Sequence, residues 1–358
     1  MSAQAVIFGF AGLALSEAEI AFFRAAKPWG FILFARNCAD PAQLRALCAS
    51  LRDLTGGAHT TIFIDQEGGR VARLRPPHWR LPPPAAIFGA LRETDAVRGR
   101  EAAYLNSRII AHDLLELGIN ADCLPVLDVP HPGAHDIIGD RAYALDPHGV
   151  AELGRAAADG LIDGGVLPVI KHIPGHGRAQ ADSHEELPIV DASANDLTRI
   201  DFMPFRSLSA MPLAMTAHVV YSAIDPQRPA TTSSKVIHNV IRGLMGFDGA
   251  LMSDDLSMKA LKGTIAERTK ASFAAGCDLV LHCNGDMGEM EDVMRESRVL
   301  AGPALRRVQA AEAVGLVVEQ GLELALGAQH LLQLFAQGSR RIRLQPLAQL
   351  VLERDRPL

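Results

Sequence analysis

The sequence predicts an α/β protein built as a single (β/α)8 TIM barrel with C-terminal helices packed on it. Eight short runs rich in Val, Ile, Leu and Phe alternate with longer segments that carry helix signals, as expected for a parallel barrel. Most of these runs lack alternation of polar and apolar residues, which is typical of strands buried on both faces. The length of 358 residues lies within the range of one such barrel. A doubly wound open sheet is the structural alternative.

The predicted strands and helices follow one another without interruption. Ser16-Glu17-Ala18-Glu19 resembles a capping box, Asp40-Pro41 offers an N-cap followed by proline, and Ser193 and Asp196 precede another amphipathic run. Because no Pro/Ser-rich linker or low-complexity tract separates these elements, we expect one catalytic domain over residues 1–358. Its barrel should span about residues 5–285, with a helical extension at 286–358. The predicted strands are residues 5–10, 30–35, 60–65, 121–128, 166–172, 213–219, 250–254 and 278–283.

Composition limits the classes of partner. The net charge is −6, and the sequence has neither a Lys/Arg run nor a basic stripe with interleaved aromatic residues, which argues against nucleic-acid binding. No apolar run approaches the length of a membrane span, and the N-terminus lacks the pattern of a signal peptide. The five cysteines have no CxxC spacing and predict free, mostly buried thiols. We expect a cytoplasmic protein, monomeric or weakly dimeric, that acts on a small molecule.

Clusters of polar residues come at or just after the ends of the apolar runs. In a TIM barrel, the active site lies at the C-terminal ends of the strands. Charged groups at the ends of otherwise apolar runs are costly to bury unless they are paired, so several of them together predict a convergent site. The clusters are residues 65–73, Asp128 with residues 139–141, residues 171–177, His218 and residues 253–255.

Two pairs of residues are of types that often act in catalysis. Asp182 stands two residues before His184, so it can hydrogen-bond one imidazole nitrogen and hold the other toward a substrate. A bare Asp-x-His is, however, more often a capping aspartate beside a surface histidine. Asp254 and Asp255 can cap the segment that follows, or give one carboxylate to chemistry and the other to its support. Spacing alone leaves these alternatives open.

Several motifs occur together and in a fixed order along the chain. KHIPGHG at 171–177 is followed by DSH at 182–184, and IDQEGGRV stands at 64–71. FARN at 34–37, GDR at 139–141, MTAH at 215–218 and SDDLSM at 253–258 accompany them. This set resembles glycoside hydrolase family 3, in its bacterial cytoplasmic β-N-acetylhexosaminidase branch, over roughly residues 5–284. The departure is Ile173, where Phe is frequent, and both residues are apolar.

The resemblance implies a retaining exo-β-N-acetylglucosaminidase of peptidoglycan recycling. Such an enzyme removes terminal β-linked N-acetylglucosamine from fragments of the GlcNAc-anhydroMurNAc type through a covalent glycosyl-aspartate intermediate. Asp254 falls at the nucleophile position, His184 at the acid/base and Asp182 at its partner. The sugar-binding positions fall on Asp65, Arg73, Arg141, Lys171 and His172.

The chemistry of such a site is consistent with these residue types. A retaining glycosidase needs a carboxylate below the anomeric carbon and a proton donor beside the leaving oxygen. Histidine, with an unperturbed pKa of about 6.5, suits both the acid and the base role near neutral pH. None of these steps needs a metal or another cofactor. Because residues 173–188 contain few apolar side chains, we expect a mobile surface loop that closes over the bound sugar.

Other functions remain open from the sequence. The same dyad would allow phosphorolysis, because histidine repels phosphate less than a glutamate carboxylate does, and a related β-glycosidase of the family is also possible. A metal-dependent TIM-barrel hydrolase would take its ligands from His172, His176, Asp182, His184 and His218, but the usual paired HxH after the first strand is missing. A non-catalytic sugar-binding barrel would be expected to lose the nucleophile or the acid/base, and both are present.

Overall fold

A computed structural model shows a closed barrel of eight parallel strands. The structure describes residues 3–56, 60–181, 183, 186–315 and 331. Each barrel strand overlaps one of the predicted runs, so the predicted fold class is confirmed. The barrel strands are β1 (Gln4–Phe8), β2 (Pro28–Leu33), β3 (Thr61–Ile64), β4 (Ala121–Asp122), β5 (Leu167–Ile173), β6 (Leu213–Thr216), β7 (Ala250–Asp255) and β8 (Leu279–His282).

The strands pair in sequence order around the barrel, and β1 closes it against β8. Val6 is in register with Val280 on one side of β1, and Ile7 with Gly30 on the other. Strands β2, β3 and β5 are buried along their whole length, as the mostly apolar sequences of these strands predict. Because all eight strands run in the same direction, their C-terminal ends meet at one face of the barrel.

The helices lie between the strands, and the predicted caps are present. The Ser16 hydroxyl accepts a hydrogen bond from the backbone of Glu19, whose carboxylate bonds back to Ser16, and Asp40 caps the helix that begins at Pro41. Ser193 accepts from the backbone N–H of Asp196. The α-helices are α1 (Glu17–Ala26), α2 (Pro41–Thr55), α3 (Ala86–Thr94), α4 (Ala96–Leu115), α5 (Pro147–Asp163), α6 (Ala194–Asp196), α7 (Met203–Ser207), α8 (Ile265–Ala275), α9 (Met287–Glu296) and α10 (Gly302–Gly315). Leu197–Asp201 and Val236–Leu244 form π-helical segments.

The fourth strand is shorter than predicted. Regular pairing covers Ala121–Asp122, whereas the sequence predicted a strand over residues 121–128. Pro125 interrupts the ladder because it has no N–H to donate. Its carbonyl still accepts a hydrogen bond from the backbone N–H of Lys171, and Val126 forms an isolated parallel bridge with the same residue. The segment after β4 therefore follows β5 without continuing the regular strand.

Helices α9 and α10 correspond to the first part of the predicted C-terminal extension, and residues 316–330 and 332–358 of that prediction lie outside the described residues. All five cysteines are free, and each is buried except Cys38, which is half-buried. No helix in the described part of the chain is both long enough and apolar enough to cross a membrane.

Gly9 at the end of β1 offers a test of barrel closure. A β-carbon at this buried glycine would stand 2.2 Å from the carbonyl oxygen of Cys283, just beyond β8, and backbone cannot move aside easily. We expect Gly9→Ala to lower the free energy of unfolding by about 1–3 kcal/mol, as overpacking does. The matched control is Gly12→Ala, whose β-carbon would meet its nearest neighbour, the Ala14 carbonyl oxygen, at an ordinary 3.7 Å. Equal urea denaturation midpoints for the two variants would contradict this account.

Candidate active site

A cavity of about 350 Å³ opens at the C-terminal ends of the barrel strands. Six of the predicted site residues line it, namely Asp65, Arg73, Arg141, Lys171, His172 and Asp254. The other two, Asp182 and His184, lie outside the described residues. Ser183, which stands between them in the sequence, lines the cavity. The structure thus brings together every predicted residue that it describes, and the role of each stays a prediction.

Lys171 forms the centre of the polar wall. Its ammonium is 2.8 Å from an oxygen of Asp65 and 2.6 Å from an oxygen of Glu67, and the residue is only 2% exposed. The second oxygen of Asp65 accepts a hydrogen bond of 2.8 Å from Arg73. Arg141 binds Glu67 through two parallel hydrogen bonds of 2.8 and 2.9 Å. Two carboxylates and three cations therefore form one connected network.

The network keeps both acids ionised. Burial alone would raise the pKa of Asp65, but Lys171 and Arg73 outweigh burial and hold that pKa well below its usual range. Burial likewise opposes ionisation of Glu67, and Arg141 and Lys171 lower its pKa to about 2. The same two carboxylates outweigh the effect of burial on Lys171 and raise its pKa. These side chains present fixed charges to the cavity, which suits the binding of sugar hydroxyls.

Glu67 is a site residue that the sequence analysis did not select. It belongs to the same polar cluster as Asp65, two residues away, and that shared motif was the available signal. Glu67 and Arg141 are 74 positions apart in the sequence. Their pairing therefore cannot be predicted from the residues at the strand ends alone. Glu67 acts through its neighbours, because it holds Arg141 and Lys171 in place.

The wall near Arg73 is partly apolar. The guanidinium of Arg73 lies 5.0 Å from the ring centroid of Phe34, and that of Arg36 lies 4.8 Å from the same centroid. Apolar side chains complete this part of the lining, namely Ile32, Met215, Met258 and Leu281. The cavity therefore combines a charged side with an apolar side, as expected for a ring that has hydroxyls at its edge and C–H groups on its faces.

Asp128 joins the two histidines of the KHIPGHG motif. One of its oxygens is 2.7 Å from Nδ1 of His172, and the other accepts a 2.6 Å hydrogen bond from the backbone N–H of His176. Since Asp128 fixes Nδ1 of His172, Nε2 is the ring nitrogen available to a ligand. Burial, followed by the neighbouring His172, lowers the pKa of His176 to about 4, so that ring is neutral. Its Nε2 is 3.3 Å from the Ser183 hydroxyl.

The two neighbouring aspartates have different surroundings. Both line the cavity. One oxygen of Asp255 accepts hydrogen bonds from the backbone N–H groups of Ser257 and Cys283, at 3.0 and 3.1 Å, and the other accepts from the Ser257 hydroxyl at 2.6 Å. An oxygen of Asp254 accepts from the backbone N–H of Asp255 at 2.8 Å. Asp255 therefore ties β7 to the segment after β8, which is a structural task.

The prediction of a mobile surface loop over residues 173–188 is wrong for the first part of that segment, which is not at the surface. Residues 173–177 are buried, and Ala179 is 1% exposed. The Gly175 carbonyl accepts a 2.7 Å hydrogen bond from Tyr221, and Arg178 pairs with the buried Asp201 at 2.7 Å. The prediction considered only the side chains of the loop itself, whereas its backbone packs beneath neighbouring segments. Residues 182, 184 and 185 of the loop lie outside the described residues.

The site is thus a cavity with charged and apolar walls, including the carboxylate of Asp254, at the C-terminal ends of a parallel barrel. Comparison with known proteins identifies the family. Residues 19–311 match the family model described as the glycosyl hydrolase family 3 N-terminal domain. A β-hexosaminidase from Thiobacillus denitrificans is 43% identical over 259 residues, which cover 71% of each chain. A β-hexosaminidase from Aromatoleum aromaticum is 38% identical over 87% of this chain and 90% of its own.

Solved structures agree with these relatives. NagZ from Neisseria gonorrhoeae, in complex with N-trifluoroacetyl-D-glucosamine, has a TM-score of 0.83 at 32% identity and covers 93% of this chain and 98% of its own. A family 3 β-N-acetylglucosaminidase from Paenibacillus has a TM-score of 0.79 at 31% identity, over 91% of this chain and 67% of its own. The chain belongs to glycosyl hydrolase family 3. The predicted family and enzyme class are confirmed, and the chain groups with the bacterial β-hexosaminidases.

The ion pairs of Glu67 predict how stability varies with pH. Removing one partner of a buried pair leaves the other uncompensated, so we expect Glu67→Gln to lower the free energy of unfolding by about 3–5 kcal/mol at pH 7. Because the pKa of Glu67 falls from its usual 4.5 to about 2 in the folded protein, its contribution is complete above pH 4.5. That contribution declines below pH 4.5 and is lost as the pH falls through about 2, so the difference in stability between wild type and variant should already narrow between pH 4.5 and pH 3.

The matched control for this prediction is Glu152→Gln. Like Glu67, Glu152 contacts two cations, in this case Arg92 and Arg100, but its side chain is 25% exposed and lies outside the cavity lining. Such a pair contributes about 0–1 kcal/mol. Denaturant titrations between pH 3 and pH 7 measure both variants. A Glu67→Gln penalty no larger than that of Glu152→Gln would show that the buried network does not stabilise the fold.

Proposed function

We propose that this protein is a retaining exo-β-N-acetylglucosaminidase that removes terminal N-acetylglucosamine from peptidoglycan fragments. The observation that carries the proposal is the single cavity that collects Asp254 and five predicted sugar-binding residues at the C-terminal ends of the strands. The names of the relatives support the activity on N-acetylglucosaminides, since one is a β-N-acetylglucosaminidase and another binds an N-acylated glucosamine.

The first chemical step requires a nucleophile at the anomeric carbon. We assign this role to Asp254, because both oxygens of its neighbour Asp255 already accept hydrogen bonds within the protein. Attack by the Asp254 carboxylate forms the glycosyl-aspartate bond while the bond to the leaving oxygen breaks. The backbone N–H of Asp255 holds one oxygen of Asp254 and so limits its orientation.

The leaving oxygen needs a proton in the same step, and water must lose one in the next. We assign both transfers to His184, with Asp182 stabilising the imidazolium. The position of Ser183 on the cavity wall supports this assignment. Asp65, Arg73, Arg141, Lys171 and His172 would bind sugar hydroxyls through charge-assisted hydrogen bonds.

The setting of the enzyme is part of the proposal. Five free cysteines suit a reducing compartment, which favours the cytoplasm. We propose one catalytic domain, as a monomer or weak homodimer, whose partner is the sugar substrate. The direct test of function compares aryl β-N-acetylglucosaminide, β-glucoside and β-N-acetylgalactosaminide, each with and without phosphate. Preference for the glucoside would overturn the proposed substrate, and a requirement for phosphate would overturn hydrolysis.

The assignment of the nucleophile is tested by changing the two aspartates separately. We expect Asp254→Ala to lower kcat on the order of 10⁴-fold, as loss of a catalytic nucleophile does. Asp255→Asn, the adjacent control, keeps an oxygen that can accept from Ser257 and Cys283 and should retain most activity. Trapping with a fluorinated N-acetylglucosamine donor and peptide mapping identifies the labelled residue. A label on Asp255 would overturn the assignment, and full activity of Asp254→Ala would favour attack by the substrate's own acetamido oxygen.

The assignment of the proton donor predicts a dependence on the leaving group. His184→Ala should strongly slow substrates with poor leaving groups, because these need protonation most. Activated aryl glycosides should still form the intermediate, which then accumulates and gives a burst. Asp182→Asn should show a milder version with a shifted pH profile. A uniform loss across leaving groups, without a burst, would place the proton donor elsewhere.

A further inference from the structure

Arg70 of the IDQEGGRV motif lines the candidate active site but has no role in the function proposed above. Its Nη2 donates to the backbone carbonyls of Asp136, Ile137 and Ile138 at 2.5–3.0 Å. Its Nε is 3.2 Å from the carboxylate of Asp140, and its Nη1 is 3.5 Å from that of Asp136. Because all three nitrogens have partners in one neighbouring segment, Arg70 is suited to holding that segment and not to binding a ligand directly.

The segment that accepts these bonds turns tightly around the Arg70 guanidinium. Gly139 has a φ of +44°, a conformation that favours glycine. A β-carbon at this position would stand 2.5 Å from Oδ1 of Asp136 and 3.0 Å from Nη2 of Arg70. Ile137 and Ile138, in the same turn, line the active-site cavity. The turn around Arg70 is therefore part of the cavity wall.

Arg141, at the end of this turn, makes the return contact. Its Nε and Nη2 bond to the carboxylate of Glu67, which stands three residues before Arg70 in the sequence. Its Nη1 donates to the carbonyl of Ile137 at 3.1 Å, and the same carbonyl accepts the 2.9 Å bond from Arg70. Each segment thus gives one arginine to the other. We call these four residues, Glu67, Arg70, Ile137 and Arg141, the arginine clasp.

The clasp sets the direction in which Arg141 faces the cavity. A guanidinium has five N–H donors, and Glu67 and the Ile137 carbonyl together take three of those of Arg141. One N–H on Nη1 and one on Nη2 remain for a ligand. Contacts at all three nitrogens prevent the guanidinium plane from turning. If the Ile137 carbonyl moved, Nη1 would lose its partner and the remaining N–H groups would change direction.

We propose that Arg70 is a positioning residue. Through the carbonyl of Ile137, it holds Arg141 in the orientation that binds a sugar hydroxyl. The proposal rests on the sugar-binding role proposed above for Arg141 and adds a residue that sets how tightly the sugar is bound. Because Arg141 contacts the sugar before and during the reaction alike, loss of Arg70 raises KM and leaves kcat unchanged.

The test is a double-mutant cycle in the full chain, with an aryl β-N-acetylglucosaminide as substrate. We expect R70Q to raise KM about three- to tenfold, the size of one net hydrogen bond, at unchanged kcat. In R141K the contact with the Ile137 carbonyl is already gone, so adding R70Q should change KM less than about twofold. An arginine that bound the sugar itself would raise KM by the same factor in both backgrounds.

R155Q is the matched control for the loss of an arginine. The side chain of Arg155 is 39% exposed, and that of Arg70 is 41% exposed. Arg155 also donates to a backbone carbonyl, that of Ser207, and lies 3.8 Å from a carboxylate, that of Asp159. Since Arg155 does not line the cavity, R155Q should match wild type in both KM and kcat.

A second variant disturbs the clasp without removing a charge. The β-carbon of G139A would press on the Asp136 carboxylate and on Arg70, so we expect KM to rise as in R70Q. Its control is G133A, because Gly133 has a φ of +83° and a β-carbon there meets nothing within 4 Å. Backbone strain would affect both glycine variants alike, whereas disturbance of the clasp affects G139A alone.

Hydrogen exchange, measured by mass spectrometry, tests the clasp independently of activity. Residues 137–142 include backbone N–H groups that are hydrogen-bonded within the segment. These groups should exchange faster in R70Q and G139A than in wild type and the two control variants. If wild type does not cleave the aryl substrate, the proposed function fails, and the exchange comparison still decides whether Arg70 holds the segment that carries Arg141.

Three results would overturn the proposal. They are equal factors for R70Q in both backgrounds of the cycle, a loss of kcat in R70Q at unchanged KM, and hydrogen exchange of residues 137–142 that is the same in R70Q as in wild type.

Discussion

The ammonium of Lys171, held between the carboxylates of Asp65 and Glu67, is the interaction on which the candidate site depends. A buried ammonium without partners would cost several kcal/mol, and the two carboxylates offset this cost only where both stand within hydrogen-bond distance. The carboxylates follow β3, whereas Lys171 belongs to β5, and the short strand β4 lies between them. The ion pairs therefore span β4 and hold the ends of its two neighbours together. The same charged cluster therefore lines the cavity and links β3 to β5 at the C-terminal end of the barrel.

The same cluster sets the protonation of the acids around it. Asp65 and Glu67 stay ionised because the neighbouring cations outweigh the effect of burial. For the buried Asp122, the effect of burial is the larger one. Burial raises the pKa of Asp122 to about 8, and a backbone hydrogen bond from Gln66 and the charge of Lys171 lower it only in part. Burial therefore favours the protonated form of Asp122. The fixed charges of Asp65, Glu67 and Lys171 at the cavity wall give a preorganised surface for hydroxyl groups.

Features that depend on residues close together in the sequence could be predicted, whereas contacts between distant segments could not. Short, mostly apolar runs predicted all eight strands, and the polar residues at their ends predicted a convergent site, because a parallel barrel forces those ends to one face. The pairing of Glu67 with Arg141 could not be predicted, since it joins two segments outside the barrel strands whose paths depend on the completed barrel. The buried start of the loop at 173–177 was missed for a related reason. Its burial comes from other segments, such as Tyr221 above Gly175, and not from its own composition.

The structure also bears on the roles proposed for the two adjacent aspartates. Thr231 is within 2.8 Å of both Thr216 and Nδ1 of His218, and Nε2 of His218 donates to the carbonyl of Asp255 at 3.0 Å. Burial lowers the pKa of His218, although Asp254 opposes this, so the ring is neutral and Nδ1 accepts from the threonine hydroxyl. The carbonyl and the carboxylate of Asp255 are thus both fixed from within the protein. Because that anchoring holds the residue directly after Asp254, it also limits the orientations open to the Asp254 carboxylate, as the proposed attack requires.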